Sequence, residues 1–203
     1  MTDFNNAARS WDSNTIHAQR SEAIAKNLLA RISVQSGMKA LEFGAGTGIL
    51  SFMLAQRFSS ITMMDSASEM VAVMQEKVDQ AGNENLKAVL FDLTKQPYVS
   101  ESFDLVFSQM ALHHIADTKA ILTRFFEVLR KDGILAIADL YSEDGSFHGL
   151  GFDGHNGFDV VQLEAEMYKA GFLNVETETC FTMHKMTPDG LKEFPIFLMI
   201  ASK

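Results

Sequence analysis

The sequence predicts an α/β fold: one mostly parallel, doubly wound sheet of seven strands, helices on both faces, and an antiparallel strand at the C-terminal edge. Three observations predict it. Short apolar runs of strand type alternate with longer stretches whose apolar residues recur at helical spacing. A glycine-rich turn joins the first such run to the helix behind it. The last two runs are separated by a turn signal and no long helix, which calls for an antiparallel pair.

Each element follows from its own residues. Residues 1–20 are polar with spaced apolar positions (Phe4, Ala7, Ala8, Trp11) and read as a short helix or arm. Ser21 to Ile32 carries the stripe Ile24, Leu28, Leu29, Ile32, and Gly37 ends that unit. Lys39 to Phe43 is a short strand, and Ile49 to Arg57 the helix behind its turn. Ile61 to Met64 is a strand ending at Asp65. Ser66 and Glu69 have the spacing of a capping box, opening a helix that presents Met70, Val71, Met74 and Val78 and closes at Gly82. Leu86 to Phe91 ends at Asp92, and Phe103 to Phe107 ends at Ser108. Asp117 caps a helix with the face Ile121, Leu122, Phe125, Phe126, Leu129, which Gly133 ends. Ile134 to Leu140 is the fifth strand. Asp159 caps a helix to Ala170, ended by Gly171. Val175 to His184 and Pro195 to Ala201 are the late strands, with Pro188-Asp189-Gly190 as the turn between them.

Between the fifth strand and the last helix, residues 141–158 hold five of the thirteen glycines, three phenylalanines and two histidines, without periodicity. Such a loop, beside the carboxyl ends of the strands, is the expected acceptor side of a ligand site. The whole chain, 1–203, reads as one domain, with 1–36 as a helical arm or lid.

Composition removes several function classes. At 47% hydrophobic and 21% charged, the chain is neither disordered nor fibrous. The net charge of −9 opposes a nucleic-acid partner. The single cysteine, Cys180, makes no internal disulfide and no thiolate metal site, as in a reducing, cytoplasmic setting. The start shows no basic or apolar leader, and the longest apolar run, near Phe194 to Ala201, is too short to span a bilayer. No membrane insertion is expected, and nothing in the sequence speaks to oligomeric state.

The chemistry is concentrated at strand ends. Gly44-Ala45-Gly46-Thr47-Gly48 lets backbone approach a ligand closely and opens a helix whose first N–H groups are free. It is Gly-x-Gly-x-Gly; Ile49 stands where a dinucleotide fingerprint has its third glycine. Asp65, at the second strand end, is placed to accept from both hydroxyls of a ribose. Asp92, at the third, suits the amino group of an adenine. Glu42, inside the turn, repels phosphate and favours an ammonium or sulfonium. Together they describe a site for an adenosine with a cationic tail.

With these residues in order, the sequence resembles the class I S-adenosylmethionine-dependent methyltransferases, in their small-molecule branch, which includes the ubiquinone/menaquinone-biosynthesis type. The matching segments are Leu41 to Gly48, Asp65 to Met70, Phe91 to Leu93, Phe103 to Ser108, Ala111 to Ile115 and Val128 to Gly133. The resemblance implies a Rossmann-like fold, S-adenosylmethionine as cofactor and a small-molecule acceptor. It implies that Phe43, Gly44, Ala45 and Gly46 pack beneath the cofactor, with Glu42 facing its amino group, Asp65 and Ser66 at the ribose, and Asp92 and Leu93 at the adenine. Ser108 meets the methionyl end, Met70 serves the core and can also lie against the cofactor, and Trp11 with Phe4 either closes over it as a lid, as in some members, or packs among the helices. Two departures stand out: Glu42 and Ala45 replace the more usual Asp and Cys, and Lys131-Asp132-Gly133 replaces Pro-Gly-Gly.

The candidates for a catalytic base are His113, His114, His148 and His155, plus Tyr141, with His113, His148 and His155 taken as the catalytic set. The competing roles are capping for the His113-His114 pair and loop ordering for His148 and His155. No standard metal-ligand spacing is present, so no metal is expected. Methyl transfer by in-line displacement to an apolar or aromatic small molecule is the reaction predicted. The alternatives are a non-catalytic binder of the same cofactor and a nicotinamide oxidoreductase. The latter would want the longer glycine fingerprint, and its short-chain type a Tyr-x-x-x-Lys pair, which Tyr98, Tyr141 and Tyr168 do not form.

Overall fold

The computed structural model describes residues 3–100 and 102–203, so the first two residues of the expected arm lie outside the described residues. Seven strands form one sheet: β1 (Lys39–Phe43), β2 (Ser60–Asp65), β3 (Leu86–Leu90), β4 (Phe103–Gln109), β5 (Leu129–Leu140), β6 (Leu173–Thr187) and β7 (Gly190–Ser202). Six α-helices accompany them: α1 (Phe4–Ala7), α2 (Thr15–Arg31), α3 (Ile49–Leu54), α4 (Ser68–Ala81), α5 (Thr118–Val128) and α6 (Val160–Ala170). The sheet order is β3-β2-β1-β4-β5-β7-β6. The first five strands are parallel, and β7 is antiparallel to both its neighbours. The expected antiparallel C-terminal edge is thus a hairpin, with β7 inserted against β5 and β6 outermost. The strand order reverses between β1 and β4, which opens a crevice at their carboxyl ends.

Central strands are apolar on both faces because helices cover both. One core gathers Ile24 and Leu28 of α2, Leu50 and Leu54 of α3, and Ile61, Leu105 and Phe107 from the sheet. The opposite core gathers Leu41, Phe43, Val106 and Phe197 against Ile121 and Phe125 of α5 and Leu163 and Met167 of α6. Truncating a ring such as Phe125 to alanine costs roughly 3–5 kcal/mol. Among the described residues, no helix is long and apolar enough to cross a membrane.

Four boundaries differ from expectation, each for a physical reason. The helix expected from Ser21 begins at Thr15, because the Asn14 side chain accepts from the Ile16 N–H at 3.2 Å and caps it there. Ser66 does not cap α4. Asp65 takes the Ala67 N–H at 2.8 Å, and Asn5 of the arm accepts from the Glu69 N–H at 3.0 Å, supplying the cap from a distant segment. Helix α5 stops at Val128 rather than at Gly133, because Leu129 already pairs with Phe103 in the sheet. The expected linker between the late strands is mostly strand, since β6 and β7 pair down to Thr187 and Gly190.

Candidate active site

The turn after β1 sits under tight steric limits. Gly44 has φ +65°, and a Cβ there would lie 2.5 Å from the Ala111 Cβ, in the segment after β4. Gly46 has φ +57°, and its open side faces the Trp11 indole nitrogen, 3.8 Å from where a Cβ would stand. The Gly46 N–H donates to the Asp65 carboxylate at 2.8 Å, which locks the turn to the end of β2. Burial pushes the Asp65 carboxyl above its ordinary range, against the pull of those backbone donors. The arm is tied down beside it. The Thr47 hydroxyl donates to Asp12, and Lys77 bridges Asp12 at 2.7 Å and the Thr47 carbonyl at 2.8 Å.

Among the described residues, two buried polar atoms here have no partner: Glu42 Oε1 and Ser108 Oγ. Glu42 is wholly buried, and its Oε2 accepts from the Ser51 hydroxyl. Burial pushes its pKa up to about 7, with Asp65 nearby adding to the rise and hydrogen bonds from Ser51 and Gln109 opposing it. A ligand carrying N–H donors and positive charge would satisfy Oε1 and favour the charged carboxylate. At the far side, Asp92 accepts from the Thr94 N–H at 3.1 Å and pairs with Lys95 at 2.9 Å. Burial pushes its carboxyl up, but the bonds from Lys95 and Thr94 outweigh it and hold it below its ordinary value. Leu93 is fully buried, and a cleft of about 280 Å³ lined by Thr94, His114, Ile115 and Asp117 adjoins it. The strand-end acids, the glycine turn and the two unpartnered atoms fit an adenosine with a cationic tail.

Across β4 and β5 lies a second polar group. His113, in a single 3-10 turn after β4, is 1% exposed, and Asp139, near the end of β5, is 0% exposed. His113 Nδ1 stands 2.6 Å from Asp139 Oδ1, and its N–H donates to Oδ2 at 3.2 Å. His113 Nε2 stands 3.0 Å from His148 Nε2. A carboxylate only accepts, so Nδ1 of His113 carries the proton, its Nε2 accepts, and His148 donates. The His148 ring stacks on Phe152 at 3.9 Å. Burial, with His113 beside them, pushes both His148 and His114 down to about 4, so both are neutral at pH 7. The ring nitrogens of His113, His114 and His148 lie within 4.8 Å of one another, and these three could hold a metal ion. Hydrogen bonds join His113 to Asp139 and to His148, while the His114 ring lies against His113 at 4.2 Å between centres.

Residues 41–137 match the family described as "Methyltransferase domain". Trans-aconitate 2-methyltransferase of Deinococcus radiodurans is 31% identical over 144 residues, 69% of this chain and 53% of that protein. Demethylmenaquinone methyltransferase of Staphylococcus aureus is 29% identical over 137 residues, 65% of this chain and 56% of that protein. The chain thus spans about half the length of the curated relatives it matches. A phosphoethanolamine N-methyltransferase of Haemonchus contortus, solved with S-adenosyl-L-methionine, superposes with a TM-score of 0.75 at 17% identity, over 100% of this chain and 60% of that one. This chain carries a class I methyltransferase domain.

Within the methyltransferase domain, the residues expected at the cofactor gather round the β1 turn, with qualifications. The Phe43 ring packs edge-on to Phe125 at 5.0 Å in the core, leaving only backbone for a ligand. Met70 is buried at 1%, Trp11 stacks with His17 at 4.4 Å above the glycines, and Ser66 contributes its backbone N–H beside Asp65. Of the three histidines, His113 and His148 meet. His155 stands apart: its Nε2 is 2.9 Å from the Ile115 carbonyl and its N–H donates to the His113 carbonyl at 2.8 Å, fastening the loop to the 3-10 turn. Sequence reasoning missed Asp139, although an acid inside the apolar run Ala136 to Leu140 was a readable signal. It also missed Arg20, Asp12 and Lys77, whose roles depend on how the arm and helices dock.

Proposed function

We propose that this methyltransferase domain moves the methyl group of S-adenosylmethionine onto a heteroatom of a small molecule with an apolar or aromatic body, by in-line displacement. The observation that carries this reading is the Asp139–His113–His148 chain, buried at Asp139 and His113 and half-buried at His148, set at the carboxyl ends of β4 and β5 beside the glycine turn of β1. Phe147, Phe152 and Met183 supply apolar walls nearby, as His113 lies 6.5 Å from Phe147 and 6.0 Å from Phe152 between ring centres.

When bound, the cofactor supplies an electrophilic methyl group on a positive sulfur. In this proposal the protein's own residues do the rest. Gly44 and Gly46 admit the ligand against the backbone, Asp65 holds the ribose, and Asp92 with Leu93 holds the adenine. Glu42 and Ser108 meet the amino-acid end, and the Trp11 arm covers it. His148 Nδ1 takes the acceptor's proton as its Nε2 proton passes to His113. The resulting imidazolium is held against Asp139. His155 positions the loop that presents His148. The cytoplasmic setting and a nucleic-acid-free partner set belong to the same reading.

The test is calorimetric titration with S-adenosylmethionine, followed by a small-molecule acceptor screen read by S-adenosylhomocysteine release. Micromolar binding with turnover on at least one acceptor supports the proposal. Binding without turnover on any acceptor points to a cofactor-binding module, and absence of binding removes the reading.

A further inference from the structure

One strongly basic group near this site has no use in the mechanism above. Arg20 of α2 is 7% exposed. Among the described residues, its Nε makes no hydrogen bond and its Nη1 reaches only the Met183 sulfur, at 4.0 Å. Among the described residues, no carboxylate lies within ion-pairing distance of it. Asp139 is the acid whose charge it feels, but that carboxylate is already engaged by His113 and by the Leu140 N–H at 2.7 Å. Burial lowers the Arg20 pKa to about 10, which leaves it charged at neutral pH. A guanidinium presents five N–H donors, and a buried cation is stable only when an opposite charge or several acceptors meet it.

Its surroundings say where the missing anion belongs. Ser21, the next residue, donates to Gln109 at the end of β4 at 3.0 Å. Met183 lies on β6, and Lys185, on the same face of that strand, holds its ammonium 4.9 Å from the centre of the Phe147 ring and donates to the Phe147 carbonyl. Arg20 therefore stands with β5, β6 and the 141–158 loop. Of the residues assigned to the cofactor, Glu42, Gly44, Gly46 and Asp65 stand at β1 and β2, two strands or more from β5, Asp92 lies beyond β3, and Ser108 is on β4, the strand beside β5. Resting on the reading that this side is the acceptor chamber, we infer that Arg20 anchors an anionic group, a carboxylate or a phosphate, carried by the methyl acceptor. The acceptor's apolar body then lies toward Phe147 and Met183 and its reacting atom toward His148.

The test uses the full chain saturated with S-adenosylhomocysteine, so that the cofactor's own carboxylate site is filled. The Arg20 Nε–H resonance, assigned with Arg20→Lys, is followed while benzoate, inorganic phosphate and neutral benzamide are added separately. A saturable shift with benzoate or phosphate but not benzamide is expected, and which of the two binds more tightly tells carboxylate from phosphate. Arg20→Met should weaken the tighter anion about tenfold or more by calorimetry while leaving S-adenosylhomocysteine affinity within about twofold; Arg20→Lys should keep part of the anion affinity. No shift with either anion overturns the inference. So does an anion effect that disappears when S-adenosylhomocysteine is bound together with a tenfold loss of that ligand in Arg20→Met, for then Arg20 serves the cofactor. If the wild-type chain binds no S-adenosylhomocysteine, the methyltransferase reading fails by itself, and the titration of the unliganded chain still decides whether Arg20 is an anion site.

Discussion

The two halves of the crevice are built differently. On the β1–β2 side, the groups that would hold the cofactor are fastened by short backbone links: Asp65 accepts from Gly46, nineteen residues away, and from Ala67, two residues away. On the β4–β5 side, the contacts that bring the candidate groups together are between side chains far apart in the chain. Asp139 meets His113 over 26 residues, His113 meets His148 over 35, and Arg20 meets Met183 over 163. The first half is a motif that carries its own geometry. The second exists only once the sheet has formed, so it is where a common domain can acquire a particular acceptor.

The largest expected effect tests whether the second half does chemistry. His113→Ala should lower kcat by about 10²–10⁴ while S-adenosylmethionine affinity stays within about twofold. Equal loss of both in calorimetry and steady-state kinetics would make His113 structural and erase the distinction between the halves. His148→Ala should also lower turnover and spare cofactor binding. Full activity in that variant would limit His148 to loop packing.

Next comes the first half. Asp65→Ala removes an acceptor of charged hydrogen bonds and should weaken S-adenosylmethionine by roughly 2 kcal/mol, about 30-fold. Unchanged affinity in titration calorimetry takes Asp65 out of the site.

The two halves should also respond to pH with opposite sign. Glu42 is raised from 4.5 to about 7, so between these values the folded state keeps a proton that the unfolded chain has lost, and its contribution to stability falls as pH rises. His114 and His148 are lowered from 6.5 to about 4, so between those values the unfolded chain takes up protons that the folded state refuses, and stability falls as pH drops. Thermal unfolding of Glu42→Gln should therefore lose the decline above about pH 5 that the wild type shows, whereas His148→Phe should lessen the decline below about pH 6. Since a cationic ligand favours ionised Glu42, cofactor affinity should rise as pH passes through about 7, and only in the chain that keeps Glu42. A flat affinity profile would detach Glu42 from the cofactor.

The smallest expected effect concerns metal. A chelator such as EDTA should leave turnover unchanged, because both ring nitrogens of His113 and Nε2 of His148 are already engaged in hydrogen bonds. Loss of activity that zinc restores would turn His113, His114 and His148 into ligands.

Much of this was legible in the amino-acid order. The alternation of strand and helix, the Gly44-to-Gly48 turn, and Asp65 and Asp92 at strand ends depend on local periodicity and on short spacings, which a sequence displays directly. The errors arose where a distant group replaced a local one. Asn5 caps the helix that Ser66 was expected to cap, and Phe103 draws Leu129 into the sheet ahead of Gly133.

By itself, then, the sequence determined the doubly wound sheet, the β1 turn and the acids beside it, because backbone propensity and near-neighbour geometry suffice to place them. Only the tertiary structure decided that Asp139 stands behind His113, that His148 and not His155 meets it, and that Arg20 is buried without a counter-ion among the described residues. Those facts depend on long-range packing that removes water from particular side chains, and the resulting loss of solvation and gain of specific partners cannot be read from spacing along the chain.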